Sequence, residues 1–274
     1  MTLLEPLTVP TVQLSVTAMQ SNTEKERLCV LVTAHPDDES LFFLPTLTAL
    51  RSTGATIWVL CLTTGDYDGL GACRSRELHH ACLSILGLSK VILLDEPTLF
   101  PDHSSKAWPI EATAKRIQAA LEQEFQKEKG SKQWKAVDLI TFDQGGVSNH
   151  VNHRDTFFAV RYLFQQQQES LLPPIGDVWT LETINNPLCK YIPVYEWTLL
   201  LLYWLGLPAT AVAHSAATDR EDTVRVYRMH QPVLNWKAMA AHQSQFVWYR
   251  RLFVVFSCYT YHNRLRKIPT MKSE

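Results

Sequence analysis

The chain has 274 residues, 46% hydrophobic and 19% charged, with a formal net charge of −1. That length and balance suit one large globular domain and exclude a disordered chain. With 26 basic against 27 acidic residues there is no cationic excess for a nucleic acid, so no nucleic-acid partner is expected.

Residues 1–26 contain Glu5, Pro6 and Pro10, no basic start, and no apolar stretch of the ~20 residues a spanning helix needs. They are expected to form a flexible arm, and residues 27–274 a single domain. Leu28–Ala34 (LCVLVTA) predicts a buried parallel strand, followed by His35-Pro36-Asp37-Asp38-Glu39 and a helical pattern to about Leu50. Thr56–Leu62 predicts a second strand, Thr63–Gly71 a loop, Cys73–Leu86 a helix stopped by Gly87, and Lys90–Leu94 a third strand. A loop with Pro97, Pro101 and Pro109 leads to an amphipathic helix, Ile110–Lys129. Ala136–Phe142 predicts a fourth strand, Asp143–Asn149 a loop, His150–Gln168 a helix and Val178–Ile184 a fifth strand. This alternation predicts an α/β fold, a Rossmann-like parallel sheet with helices on both faces. Ligands of such sheets bind beyond the carboxyl ends of the strands.

Residues 185–274 are expected to form an apolar, helical C-terminal region. Trp197–Ala213 is uncharged but interrupted by Gly206 and Pro208, marginal for a spanning helix. Phe246–Tyr261 is aromatic-rich, contains Arg250 and Arg251, and is followed by Arg264, Arg266 and Lys267. Aromatics flanked by basic residues suit a membrane surface. A C-terminal helix packed on the core, with solvated basic residues, fits the same pattern. Cys29, Cys61, Cys73, Cys82, Cys189 and Cys258 form no CxxC pair, so they read as reduced thiols in a cytosol-facing compartment.

Chemistry concentrates after the first and fourth strands. His35 leaves the first strand, and Asp38, three residues on, can point back to the same spot. An imidazole and a carboxylate are good zinc ligands. Alone, this segment reads equally as a helix N-terminus enriched in aspartate. His150 and His153, spaced i, i+3 at a helix start, share one face and add donors from a neighbouring strand end. Three protein ligands with an open position mark a catalytic zinc. Asp37 fits the base that takes a proton from water, and His150 the group that steadies the oxyanion or protonates a leaving amine. That division of labour suits amide hydrolysis.

Four blocks, TAHPDDESLFF (33–43), GDYDGLGACRSREL (65–78), ITFDQGGVSNHVNH (140–153) and AAHQSQFVWYRRLF (240–253), resemble the LmbE-like, zinc-dependent de-N-acetylase superfamily. They are most similar to its branch acting on N-acetylglucosaminyl-phosphatidylinositol in GPI-anchor biosynthesis, as is the spacer LDEPTLFPDHSSKAW (94–108). The resemblance implies His35, Asp38 and His153 as zinc ligands, Asp37 as general base and His150 as second acid/base. It implies Arg74 at the sugar–phosphate part of the substrate and His242 close to the site. It further implies a glycolipid substrate, a membrane surface as partner, and the cytoplasmic face of the endoplasmic reticulum membrane. By ligand type the same donors also accept Fe(II), Co(II) or Mn(II).

Asn149 stands where the family usually has glycine. Many members of the branch begin with a membrane-spanning helix, and with none expected here, attachment falls to the C-terminal third, to another subunit, or to nothing. His79, His80, His103, His214, His230 and His262 are expected to be structural. A soluble de-N-acetylase of a small N-acetylglucosaminide is the alternative. A non-enzymatic nucleotide-binding or scaffolding module is disfavoured, because no GxGxxG or P-loop follows a strand.

Overall fold

Along β1 (Arg27–Thr33), Leu28, Val30 and Val32 join one apolar cluster while Cys29 and Leu31 join another. A strand buried on both faces lies inside a covered sheet, which is why its sequence shows no polar alternation. The structure is a computed structural model and describes residues 27–102, 106–128, 134–166, 173–205 and 223–269. The other strands are β2 (Thr56–Cys61), β3 (Lys90–Leu93), β4 (Ala136–Phe142), β5 (Ile175–Leu181), β6 (Val224–Arg228) and β7 (His262–Lys267). They form one seven-stranded sheet in the order β3-β2-β1-β4-β5-β7-β6. The first five positions are parallel, and β7 and β6 are antiparallel.

The crossovers between parallel strands supply both covering layers. α4 (Ile110–Glu128) and α6 (Val151–Gln165) bury Ile117, Leu121, Val160 and Leu163 on the face of Leu28 and Val30. The opposite face packs on α1 (Asp38–Phe42), α2 (Leu44–Ser52) and α3 (Gly71–His79), which runs on into a π-helical turn at His80–Ile85. The short α5 (Gly146–Asn149) joins β4 to α6. The expected α/β sheet with helices on both faces is therefore present.

The C-terminal region departs from expectation. It contains α7 (Pro187–Tyr191), α8 (Val194–Trp204), α9 (Pro232–Ala241) and α10 (Trp248–Phe256), but also the two antiparallel strands. In β7, HNRLRK, only Asn263 and Leu265 are buried, so no apolar run marks the strand. Pairing of Leu265 with Leu181 of β5 is what sets it in the sheet. The basic residues there lie on a strand and, while Arg264 and Arg266 stay exposed, they pair with acids. Arg264 and Arg266 pair with Glu182, and Lys267 with Asp177. The fifth strand also starts earlier than expected, at Ile175. The N-terminal arm and residues 206–213 lie outside the described residues. Among the described residues, no helix is long and apolar enough to cross a membrane.

Candidate active site

β1 and β4 are hydrogen-bonded neighbours, so the loops leaving their carboxyl ends meet. The first loop carries the chemistry in a strained backbone. Asp37 sits at φ 101°, ψ −19°, in the left-handed region that non-glycine residues seldom adopt and that aspartate tolerates better than most. Its amide donates to Glu39 Oε2 at 3.1 Å. Asp38 Oδ2 accepts from the amides of Ala34 and His35 at 3.1 and 2.8 Å. The strain turns Asp37 and Asp38 to opposite tasks: Asp38 folds back under His35, and Asp37 faces Arg74 and Arg250.

The second loop is strained as well. Val147 at φ 64° and Asn149 at φ 59° both lie in the left-handed region. For a β-branched valine this is a genuine outlier. The loop is clamped from outside. Lys190 Nζ donates to the Val147 carbonyl at 2.7 Å, and Thr183 Oγ1 accepts from the Val147 amide at 2.9 Å. Asp143 Oδ1 caps the amides of Gly145 and Gly146. The Gly146 carbonyl in turn lies 3.0 Å from His153 Nδ1, whose N–H donates to it, so that Nε2 faces the site. The His153 ring is stacked on Phe142, with centroids 4.0 Å apart.

His153 Nε2 lies 3.1 Å from Asp38 Oδ1, and His35 Nδ1 3.8 Å from Asp38 Oδ2. The other nitrogen of His35 lies 3.2 Å from Asp102 Oδ1 and 3.0 Å from Asn152 Nδ2. A carboxylate holding the far nitrogen of an imidazole orients the ring as metal-binding histidines are oriented. His150 completes the cluster, its ring centroid 5.1 Å from that of His35 and 4.8 Å from that of His153. Donor atoms of His35, His150 and His153 lie within 4.8 Å of one another, and Asp38 sits between the first and the last. This nitrogen-rich set with one carboxylate fits a first-row divalent cation by donor type. The buried Nδ1 of His150, which has no hydrogen-bond partner, fits a site built for one more group.

The electrostatics separate the residues. Burial pushes the Asp38 carboxyl up, but the charge and hydrogen bond of His153, with help from His35, outweigh it and hold the group below the ordinary aspartate value. His153 is raised in turn: burial lowers it, and Asp38 more than offsets this. His150 is pushed down to about 4, first by burial and then by the two neighbouring imidazoles. Asp37 is raised by burial, against the pull of Arg250 and Arg74.

Arg74 and His242, expected at the substrate, both lie beside the site and are buried. Arg74 is 9% exposed, and its Nη1 and Nη2 donate to the carbonyls of Gly65 and Pro36 at 2.9 and 2.8 Å. Its guanidinium is 3.8 Å from Asp37, so it braces the loop of the base, and its buried Nε has no hydrogen-bond partner. His242 is fully buried, with Nε2 2.6 Å from Glu39 Oε1. It lies close to the site, as expected, but with no surface for a substrate; it touches Asp37 through Glu39.

Several residues escaped the sequence reading: Asp102, Asn152, Lys190 and Arg250. Asp102, Asn152 and Arg250 lay within the quoted segments, but no local spacing ties them to His35 or Asp37. His262, read as structural, pairs with Glu196 at 2.9 Å and lies 3.5 Å from Cys258 Sγ. Burial pushes the Cys258 thiol up to about 12, so this cluster serves as a neutral-thiol anchor of α8 on β7.

The mostly parallel sheet with helices on both faces is a fold shared with solved deacetylases. N,N'-diacetylchitobiose deacetylase from Pyrococcus horikoshii matches with a TM-score of 0.58 at 16% identity, covering 89% of this chain and 84% of that one. The zinc-inhibited form of teicoplanin deacetylase Orf2 matches with a TM-score of 0.51 at 13% identity, covering 90% and 100%. Those likenesses establish the fold. The family model for GlcNAc-PI de-N-acetylase (PIG-L) matches residues 30–164. N-acetylglucosaminyl-phosphatidylinositol de-N-acetylase of Bos taurus is 33% identical over 238 residues, 86% of this chain and 81% of that protein. The probable enzyme of that name from Dictyostelium discoideum is 28% identical, covering 90% and 96%. The chain belongs to the GlcNAc-PI de-N-acetylase family.

Proposed function

We propose that this chain hydrolyses the acetamide of N-acetylglucosaminyl-phosphatidylinositol, releasing acetate and the free amine, as a step of GPI-anchor assembly. The observation that carries the reading is the convergence of His35, Asp38 and His153 beside a buried Asp37 held by Arg250 at 2.5 Å. His35, Asp38 and His153 would hold the metal, and zinc is the ion that suits two imidazoles and a carboxylate. A bound divalent cation supplies Lewis acidity to the amide carbonyl and the attacking water. Asp37, raised by burial, takes the proton of that water as its oxygen bonds to the carbonyl carbon. His150, at the N-terminus of α6, would steady the carbonyl oxygen or protonate the leaving nitrogen. The C–N bond breaks with the proton going to the amine, which leaves neutral, and the acyl group leaves as acetate. Asp102 and Gly146 keep two imidazoles in place throughout.

A membrane surface as the place of action, the cytoplasmic face of the endoplasmic reticulum, accords with the outer face of α7, α8 and α10. Trp204 is 63% exposed, Trp248 72% and Leu252 49%. The three helices touch through Tyr191–Phe253 and Trp197–Phe256 ring contacts near α7 and α8. Of the charged residues on these helices Arg251 is exposed, Arg250 is half-buried on Asp37, Lys190 is buried, and the one acid, Glu196, is held by His262. Exposed aromatic and apolar side chains with a nearby cation and almost no acid suit the interface of an anionic bilayer.

The test is metal content and acetate release, for wild type and Asp37→Ala, from N-acetylglucosaminyl-phosphatidylinositol and from a soluble N-acetylglucosaminide. The expected result is about one metal per chain in both proteins, with activity on the lipid only in the wild type. Cleavage of the soluble glycoside alone would overturn the lipid substrate, and absence of acetate release under any metal loading would overturn the hydrolase.

A further inference from the structure

We infer that Glu196, Cys258 and His262 form a second divalent-cation site, of the kind that takes zinc, and that an ion there fastens α8 to the sheet. The three donors come from three elements. Glu196 belongs to the first turn of α8, Cys258 to the 3-10 turn Cys258–Thr260, and His262 to the start of β7. One ligand atom of each lies within 4.8 Å of the other two. Local spacing accounts for Cys258 and His262, four residues apart, but only the fold brings Glu196 to them. The cluster shares no residue with the one at the ends of β1 and β4.

Packing holds the donors in place. Ser257 Oγ accepts from the Tyr259 amide at 3.3 Å, and Tyr259 Oη accepts from the Ile184 amide at 2.8 Å, so the turn carrying Cys258 is tied to the segment after β5. Trp197, next to Glu196, packs edge-on against Phe256 and Tyr261, which flank Cys258 in the chain. Cys258 is 2% exposed, and the side chains of Glu196 and His262 are 14% and 22% exposed. A metal site needs ligands whose positions are fixed in this way by their surroundings.

The distances suit the ion. Zinc–sulfur and zinc–nitrogen bonds of ~2.3 and ~2.05 Å at a tetrahedral angle put the two donors about 3.6 Å apart. Cys258 Sγ lies 3.5 Å from His262 Nδ1. Glu196 Oε1 lies 2.9 Å from the same nitrogen, a hydrogen-bonded distance that opens by about 0.5 Å when an ion replaces the shared proton. Thiolate, imidazole and carboxylate together suit zinc, or Co(II) in its place. The fourth position is open to water or to the thiol of Cys189 on α7, whose charge bears on Cys258. Burial keeps the Cys258 thiol neutral without metal, and coordination deprotonates it, so uptake of an ion releases the thiol proton to water. That cost, with the opening of the Glu196–His262 pair, makes this the weaker of the two sites. A chain freed of loosely held metal keeps the single ion of the catalytic cluster, and the second enters on titration, more readily as pH rises.

The experiment titrates the chelator-treated full chain with Co(II), in wild type, Cys258→Ser and Glu196→Gln. The donors of His35, Asp38, His150 and His153 are nitrogen and oxygen, so near-ultraviolet sulfur-to-cobalt charge transfer reports on the second site alone. Wild type is expected to take up two equivalents, with the charge-transfer band rising on the second and vanishing when zinc displaces the cobalt. Cys258→Ser should take up one equivalent and show no band, with acetate release unchanged. Glu196→Gln, which keeps the size of the side chain, should keep the band and weaken the second equivalent at least ~10-fold, the low end for disturbing even an outer-shell partner of a metal. Zinc beyond the first equivalent should raise the melting temperature of wild type and not of Cys258→Ser. The site is overturned if wild type binds one equivalent with no band, or if the band persists in Cys258→Ser. Should Cys258→Ser fail to fold, an unchanged second equivalent in Glu196→Gln would overturn it equally.

Discussion

His242 Nε2 and Glu39 Oε1 are 2.6 Å apart, and neither side chain has any exposure to solvent. Ser40 Oγ donates to the same carboxylate at 2.6 Å, and the Asp37 amide donates to its other oxygen at 3.1 Å. The pair is therefore the floor beneath the base. Removing one partner leaves a buried charge unmatched, a loss of ~3 kcal/mol or more. His242→Ala and Glu39→Gln are each expected to lower unfolding free energy by that order, and to lower kcat through misplacement of Asp37. The double variant should cost less than the sum of the two. Additive losses in chemical denaturation would show that the two residues do not act as a unit.

The same pair sets a pH dependence. Burial lowers His242, but Glu39 outweighs it and raises the group above the ordinary value of 6.5. A raised histidine stabilises the fold while protonated. Its contribution is complete below that ordinary value and is lost as pH rises through the raised native value. The melting-temperature gap between wild type and His242→Gln should therefore narrow as pH rises above the ordinary histidine value of 6.5. A gap that widens with pH would contradict the charged pair.

Metal content separates ligands from the acid/base residue. His153→Ala and Asp38→Ala are expected to lose most of the metal and all measurable activity. His150→Ala should retain metal and lose ~10²- to 10⁴-fold in kcat, the range for removal of a general acid or base. The spacing of His35, His150 and His153 permits a different ligand set. Loss of metal from His150→Ala with retention in Asp38→Ala would favour that set.

Lys190 holds the strained loop by donating to the Val147 carbonyl. It is 7% exposed, and burial lowers its ammonium. Lys190→Met removes the clamp while keeping most of the apolar stem. The expected outcome is a stability loss of ~1–3 kcal/mol for the orphaned carbonyl, together with a lower kcat. Metal should still bind, because Gly146 and Phe142 continue to seat His153. Normal kcat in a destabilised Lys190→Met would limit the residue to folding.

The outer apolar face can be tested without touching the site. Leu252 and Trp204 are far more exposed than a core residue, so Leu252→Glu with Trp204→Glu should leave metal content and melting temperature close to wild type. Cosedimentation with vesicles containing anionic lipid should fall several-fold. Unchanged cosedimentation would move membrane contact to another surface.

The parallel core and its central strands were legible in the chain, because buried strands read as apolar runs and turns as glycine and proline clusters. HPDD and the two histidines stood out through residue type and spacing, and the structure brings them together at neighbouring strand ends. Tertiary structure decided the rest. β7 shows two buried residues among charges, and only its pairing with β5 makes it a strand. Arg74 and Arg250 are the same residue type in two quoted blocks; only the fold shows that the first braces the Gly65 and Pro36 carbonyls and the second holds Asp37. His242 fell within a block of the right resemblance, yet its role follows from complete burial against Glu39. Local pattern encodes which residues can form an element. Which side chains meet across 117 or 213 residues of chain, as Asn152 with His35 and Arg250 with Asp37 do, depends on how the sheet stacks its loops.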